Sequence, residues 1–296
     1  MRARQKRRAR TRRLTIVVTI AVIAVSLIVA FYIILNNSSP YQSYVGKPVS
    51  ASVMGALTGV SDSTLSAVGK PVGVSSPVKI SGSALTSGGK PEVLYIGGDY
   101  CPYCAVERWS LIVALSRFGE FSGLTYMLSS SSDVNPNSPT FSFRSATYTS
   151  SWITFVAVEE FGQDPNTVVQ ALTSDQQSVA TQYDSCASTG SSGGIPFVDL
   201  GNSYAVNCGA QSPVDLSGGS WTHVTNQLGN TTSDTGRLID GAANTLITAI
   251  CNIDGHQPAS VCNQSYATVT LSYTPSVSHT ILLAASVQRE SFDAPA

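Results

Sequence analysis

The sequence predicts an α/β domain with a mixed sheet, preceded by a single transmembrane helix. Three observations carry that prediction. A basic run is followed at once by a long apolar one; a Cys-x-x-Cys pair separates a strand from a helix; and an Ile-Pro step opens a later hairpin.

Residues 2–13 hold eight Lys or Arg and no acid, and residues 14–35 are uncharged and strongly apolar, long enough to cross a bilayer as a helix. Basic flanks stay on the cytoplasmic side, which predicts a single-pass protein of the cell membrane with its C-terminal domain outside. A cleaved signal peptide is the competing reading, but the apolar run exceeds a usual signal core and no Ala-x-Ala site follows it. Setting aside the eight basic residues of the tail leaves nine Lys and Arg against 18 acids, a net charge near −9 for the exported part. So acidic a balance gives no reason to expect nucleic acid as a partner.

Residues 36–89 are rich in Ser, Gly, Val and Pro and read as a linker or small lobe, with short helical turns at 53–57 and 65–68. Gly-Lys-Pro recurs at Gly46, Gly69 and Gly89, and the intervening sequences are too dissimilar for a stacked repeat, so these are turns. The main domain is expected over residues 90–262. A buried strand at 92–96 leads into the dithiol. The helix from Cys104 to Phe118 is apolar almost all round, as in a helix packed on more than one side. Residues 124–128 supply the next strand, giving a β-α-β unit with Cys101 and Cys104 at its strand-to-helix junction.

An insertion is expected at about residues 129–186, with strand-like stretches at 140–148 and 152–158 and a helix from Asp164-Pro165 to about Tyr183. Ile195-Pro196 then opens a strand, Gly201-Asn202 turns it, and residues 203–207 return. An X-Pro bond in such a loop is a candidate for the cis isomer. Residues 263–296 form a tail in which 267–273 alternate and 281–287 are apolar.

A thiol at a helix start meets unpaired N–H groups and the positive end of the peptide dipole, both favouring thiolate. Cys101 therefore suits thiol–disulfide exchange. Cys251 and Cys262 close a short loop after a helix carrying Ile239, Ala243, Leu246, Ile247 and Ile250, the position of a structural staple. Cys186 and Cys208 remain, flanking the Pro196 hairpin. A structural bond between them, a second redox relay and free thiols are all open. No second Cys-x-x-Cys and no paired histidines accompany the first, so no metal is expected. Nucleotide loops and the hydrolase elbow are missing as well, and no cofactor is expected.

The strand, Cys-Pro-Tyr-Cys, helix and Ile195-Pro196 strand resemble the thioredoxin superfamily over roughly residues 90–255. More narrowly, residues 93–109, 115–119 and 196–202, with 249–251 and 258–262, resemble a prokaryotic membrane-anchored family catalogued as a domain of unknown function, serial 929. The superfamily resemblance implies a thioredoxin-like fold. In it Cys101 is the exposed nucleophile and Cys104 the resolving thiol, and Ile195 and Pro196 line the substrate groove, with Pro196 as its cis-proline. Pro102 and Tyr103 would tune the dithiol, and Asp99 or Glu107, expected to be exposed, are candidates for proton transfer to Cys104. The implied activity is thiol–disulfide exchange with exported proteins or small thiols, in reach of a membrane redox partner. A non-catalytic envelope module stapled by Cys101–Cys104 is the alternative.

Overall fold

The computed structural model describes residues 2–37, 39–71, 73–184, 194–212 and 216–271. The chain divides into two compact units, residues 1–43 and 44–296. In the first, helix α1 (Arg2–Asn37) runs unbroken, and its stretch Arg12–Val29 is long and apolar enough to cross a membrane.

The second unit begins with two short helices, α2 (Ala51–Thr58) and α3 (Asp62–Val68). Each starts where a serine side chain, Ser50 or Ser61, accepts a backbone N–H that the first turn would leave unpaired. Leu57 and Leu65 are fully buried, so this segment joins the main core. The Gly-Lys-Pro glycines 46, 69 and 89 all adopt positive φ, the backbone region that turns demand and glycine enters freely.

Strands β1 (Val78–Lys79) and β2 (Thr86–Ser87) precede the central strand β3 (Lys90–Gly98), and α4 (Pro102–Leu115) follows. Next come β4 (Gly119–Ser122), β5 (Thr125–Leu128), β6 (Pro139–Ser142), β7 (Thr147–Ser150), β8 (Thr154–Phe161), α5 (Ser174–Tyr183), β9 (Phe197–Leu200) and β10 (Tyr204–Asn207). Helices α6 (Trp221–Thr225), α7 (Asp234–Ile253) and α8 (Ala259–Cys262) complete the unit. The main sheet is mixed, in the order β1-β10-β9-β3-β2. There β9 is antiparallel to β3, and β8 lies parallel along β3 from Glu92↔Thr154 onward.

The β-α-β unit is thus closed by β8, not by residues 124–128. Strand β5 pairs antiparallel with β6 in a separate ribbon, and β4 pairs with β7 in another. What distinguishes the two candidates is length: β8 has eight residues to lie along the nine of β3, whereas β5 has four. The segment added between α4 and its parallel strand is therefore residues 119–153. It seals the far side of α4: Trp109 Nε1 donates to the Pro139 carbonyl at 2.8 Å, and Thr140 Oγ1 donates to the Ala105 carbonyl at 2.8 Å. Every residue from Cys104 to Leu115 is buried, as the all-round apolar pattern predicts.

The expected helix from Pro165 also differs. Asp164 accepts hydrogen bonds from Asn166 N and Thr167 Oγ1, closing a turn in place of a helix start. Val169 N then bonds to the Glu160 carbonyl along the edge of β8. Helix α5 begins instead at Ser174, after Thr173, which forms a reciprocal capping box with Gln176. The β9–β10 hairpin turns through Gly201 and Asn202, both at positive φ, before Ser203 leads back to the Leu200↔Tyr204 pair. Residues 265–268, at the start of the tail, form a 3₁₀ turn. The apolar run 281–287 lies outside the described residues.

Cys251 and Cys262 are disulfide-bonded across 11 residues, as their positions suggest. Cys208 is also disulfide-bonded, and Cys186 lies outside the described residues.

Candidate functional site

Strand β3 runs out at Gly98 and the chain turns through Asp99 and Tyr100 into α4. The Asp99 and Tyr100 N–H groups bond to the Phe161 and Gly162 carbonyls at the end of β8. The two strands together therefore aim the start of α4. Cys101 is its N-cap: the sulfur accepts the Cys104 N–H at 3.3 Å, and Pro102 occupies the first helical position, where no N–H is needed. Cys101 and Cys104 are free thiols.

Opposite them lies the loop before β9. The Ile195–Pro196 bond is cis, and the Cys101 thiol donates to the Ile195 carbonyl at 3.7 Å. Pro196 is buried and backed by Gly209, where an added Cβ would stand 3.5 Å from the proline ring and 3.8 Å from Tyr103 Cβ. The structure thus gathers Cys101, Cys104, Tyr103, Ile195 and Pro196, which are distant in sequence.

Two expectations are corrected. Cys101 is 6% exposed, not solvent-facing, because the Ile195 carbonyl lies against its sulfur. Tyr103, at 41% exposure, is the open residue of the motif. Asp99 and Glu107 are likewise buried, not exposed. Asp99 Oδ2 is held by Arg144 Nη2 at 2.7 Å, and Glu107 Oε2 accepts the Ala210 N–H at 2.9 Å. Among the described residues neither carboxylate hydrogen-bonds to a sulfur.

The sequence reading missed the charge beneath the dithiol. Arg108, one turn beyond Cys104, is fully buried and grips Glu159 of β8 through Nε at 2.9 Å and Nη2 at 2.6 Å, while Nη2 also donates to the Gly98 carbonyl at 2.8 Å. A lone cation within an apolar helix was the available signal, since such a charge is buried only with a partner. Hydrogen bonding from the Cys104 side chain, then from the Cys104 and Tyr103 backbone, together with the Arg108 charge, outweighs burial and lowers the Cys101 pKa. Burial, with the hydrogen bond to Cys101, pushes Cys104 well up. The pair is polarised, one sulfur toward thiolate and one toward thiol.

Burial also raises carboxyl groups around the site and core: Glu107 to about 7, Asp199 to about 6 and Asp240 to about 6. Each sits above its unfolded value, so the folded state holds more protons than the unfolded chain. Their contribution is complete below about pH 4 and is lost as pH rises toward 7. Thermal unfolding should therefore show a higher midpoint at pH 5 than at pH 8, by on the order of a few kcal/mol in stability. A midpoint that climbs from pH 5 to 8 would contradict this balance.

Residues 76–252 match a protein-family model described as Domain of unknown function (DUF929). No curated protein and no solved structure matches the chain.

Proposed function

This chain belongs to the family of the Domain of unknown function DUF929, a description that assigns no chemistry, and we propose from the site itself that it is a membrane-anchored thiol–disulfide oxidoreductase. The observation that carries the reading is the free Cys101–Cys104 pair at the start of α4, with the Ile195 carbonyl of the Pro196 loop against the Cys101 sulfur. In this reading the domain is thioredoxin-like and lies outside the cell membrane, with α1 as its anchor and the N-terminus cytoplasmic. Exported proteins or small thiols are its substrates, and a membrane redox partner resets the dithiol.

In the reducing direction the Cys101 thiolate attacks a substrate disulfide. One Cys101–substrate S–S bond forms, the substrate disulfide breaks, and the first substrate sulfur leaves as thiolate. Cys104 then gives up its proton and attacks Cys101, forming the Cys101–Cys104 disulfide and releasing the second substrate sulfur. Two electrons and two protons pass from the dithiol to the substrate. Oxidation of a substrate is the same sequence reversed. Tyr103, the exposed motif residue, would meet the incoming chain.

The test equilibrates the detergent-solubilised protein with glutathione buffers to measure the dithiol's potential, and uses Cys104→Ala to hold mixed disulfides in membranes. A defined two-electron potential and trapped adducts that a reductant releases are expected. If Cys104→Ala holds nothing and the wild-type pair neither oxidises nor reduces a test peptide, the stapled envelope module is the better reading.

A further inference from the structure

The resolving step poses a chemical problem. Cys104 is fully buried, and burial opposes its ionisation, yet it must become a thiolate to attack Cys101. A carboxylate base beside the sulfur would be one solution. Here Asp99 is tied to Arg144 and Glu107 to the Ala210 N–H, and neither is hydrogen-bonded to Cys104.

Accepting thiol–disulfide exchange as the activity, we infer that Arg108 is the positioning residue that activates the resolving thiol, its buried guanidinium acting where a carboxylate base would otherwise stand. Residues four apart on a helix are neighbours on one face, which brings Arg108 beneath Cys104. Its Nη2 donates to the carbonyl of Gly98, the residue whose backbone also faces the Cys104 sulfur. Nη1 is buried and, among the described residues, has no hydrogen-bond partner. The groups that act on Cys104 include Cys101 and Arg108 of α4, Gly98 and Tyr95 of β3 and Tyr100 of the turn between them; Tyr95 and Glu159 of β8 also face Arg108, and Asp99 acts on Glu159 in turn. Arg108 is the one cation among them.

The sequence of charges follows from the chemistry. In the reduced protein the Cys101 thiolate shares the Arg108 field and repels charge on Cys104. Once Cys101 is in a mixed disulfide it carries no charge, so the field falls on Cys104 alone. The Cys104 thiol then loses its proton, its sulfur bonds to Cys101, and the Cys101–substrate bond breaks. The departing substrate sulfur takes up the proton.

The test is made in the full chain carrying Cys101→Ser, where Cys104 is read by its rate of alkylation against pH. Adding Arg108→Gln should raise the ionisation midpoint of Cys104 by about one pH unit or more. Adding Glu159→Gln, which removes the opposing charge of the same ion pair, should lower it. Arg108→Lys, which keeps the charge, should leave it nearly unchanged. A purely structural pair would move the midpoint the same way from either side, or not at all, and either result overturns the inference. Should Glu159→Gln fail to fold, the contrast between Arg108→Gln and Arg108→Lys decides alone: equal midpoints reject the field. Because ionisation and not turnover is measured, a protein that passes here yet exchanges no disulfide would overturn the oxidoreductase reading separately.

Discussion

Cys101→Ser should fall to the uncatalysed background in disulfide exchange while unfolding within a few degrees of the parent protein. The two halves have different causes. Serine is among the best N-cap residues, so its oxygen can accept the Cys104 N–H that the sulfur now takes at 3.3 Å, and α4 keeps its start. A hydroxyl, though, does not ionise near neutral pH or attack a disulfide, so the chemistry is removed with little change in the fold. Reduction of a fluorescent disulfide peptide, measured beside thermal unfolding, separates these effects. Residual exchange in the variant would mean that another cysteine carries the activity.

Trp109→Ala should be the most destabilising single change, at about 3–5 kcal/mol of a total near 5–15 kcal/mol. The indole is fully buried in the middle of α4, with its ring centre 4.6 Å from that of Phe141. Truncation leaves a cavity between α4 and the β5–β6 ribbon and strips the Pro139 carbonyl of its donor. Since Thr140 is a second hydrogen-bonded tie between ribbon and helix, the damage should spread to that face. Urea unfolding followed by far-ultraviolet circular dichroism measures it. A loss below about 1 kcal/mol would show that the ribbon is held elsewhere.

The elements that carry local signals were readable from the chain. Cys101 as a helix start, Gly201-Asn202 as a tight turn and the Cys251–Cys262 loop each depend on a few neighbouring residues, and each is found where the pattern puts it. Pairing across distance was not readable. Nothing local in residues 154–161 announces that they, and not 124–128, will lie along β3, because that pairing is settled between segments far apart in the chain. The same limit hid the site's electrostatics. Glu159 and Arg108 are 51 residues apart, and each taken singly has the default reading of an exposed charge. Burial of Cys101 depends on a carbonyl 94 residues away.

Asn244 lies in the middle of α7, fully buried, and its amide donates to the carbonyls of both Leu65 and Gly69 at 2.8 Å. With one side chain closing two backbone acceptors at the end of α3, the stretch ahead of Lys90 is sewn into the interior. The folded unit accordingly reaches back at least to α3. Cutting at Lys90, where the main domain is expected to start, would leave a helix of the hydrophobic interior bare along the side that Leu65 covers.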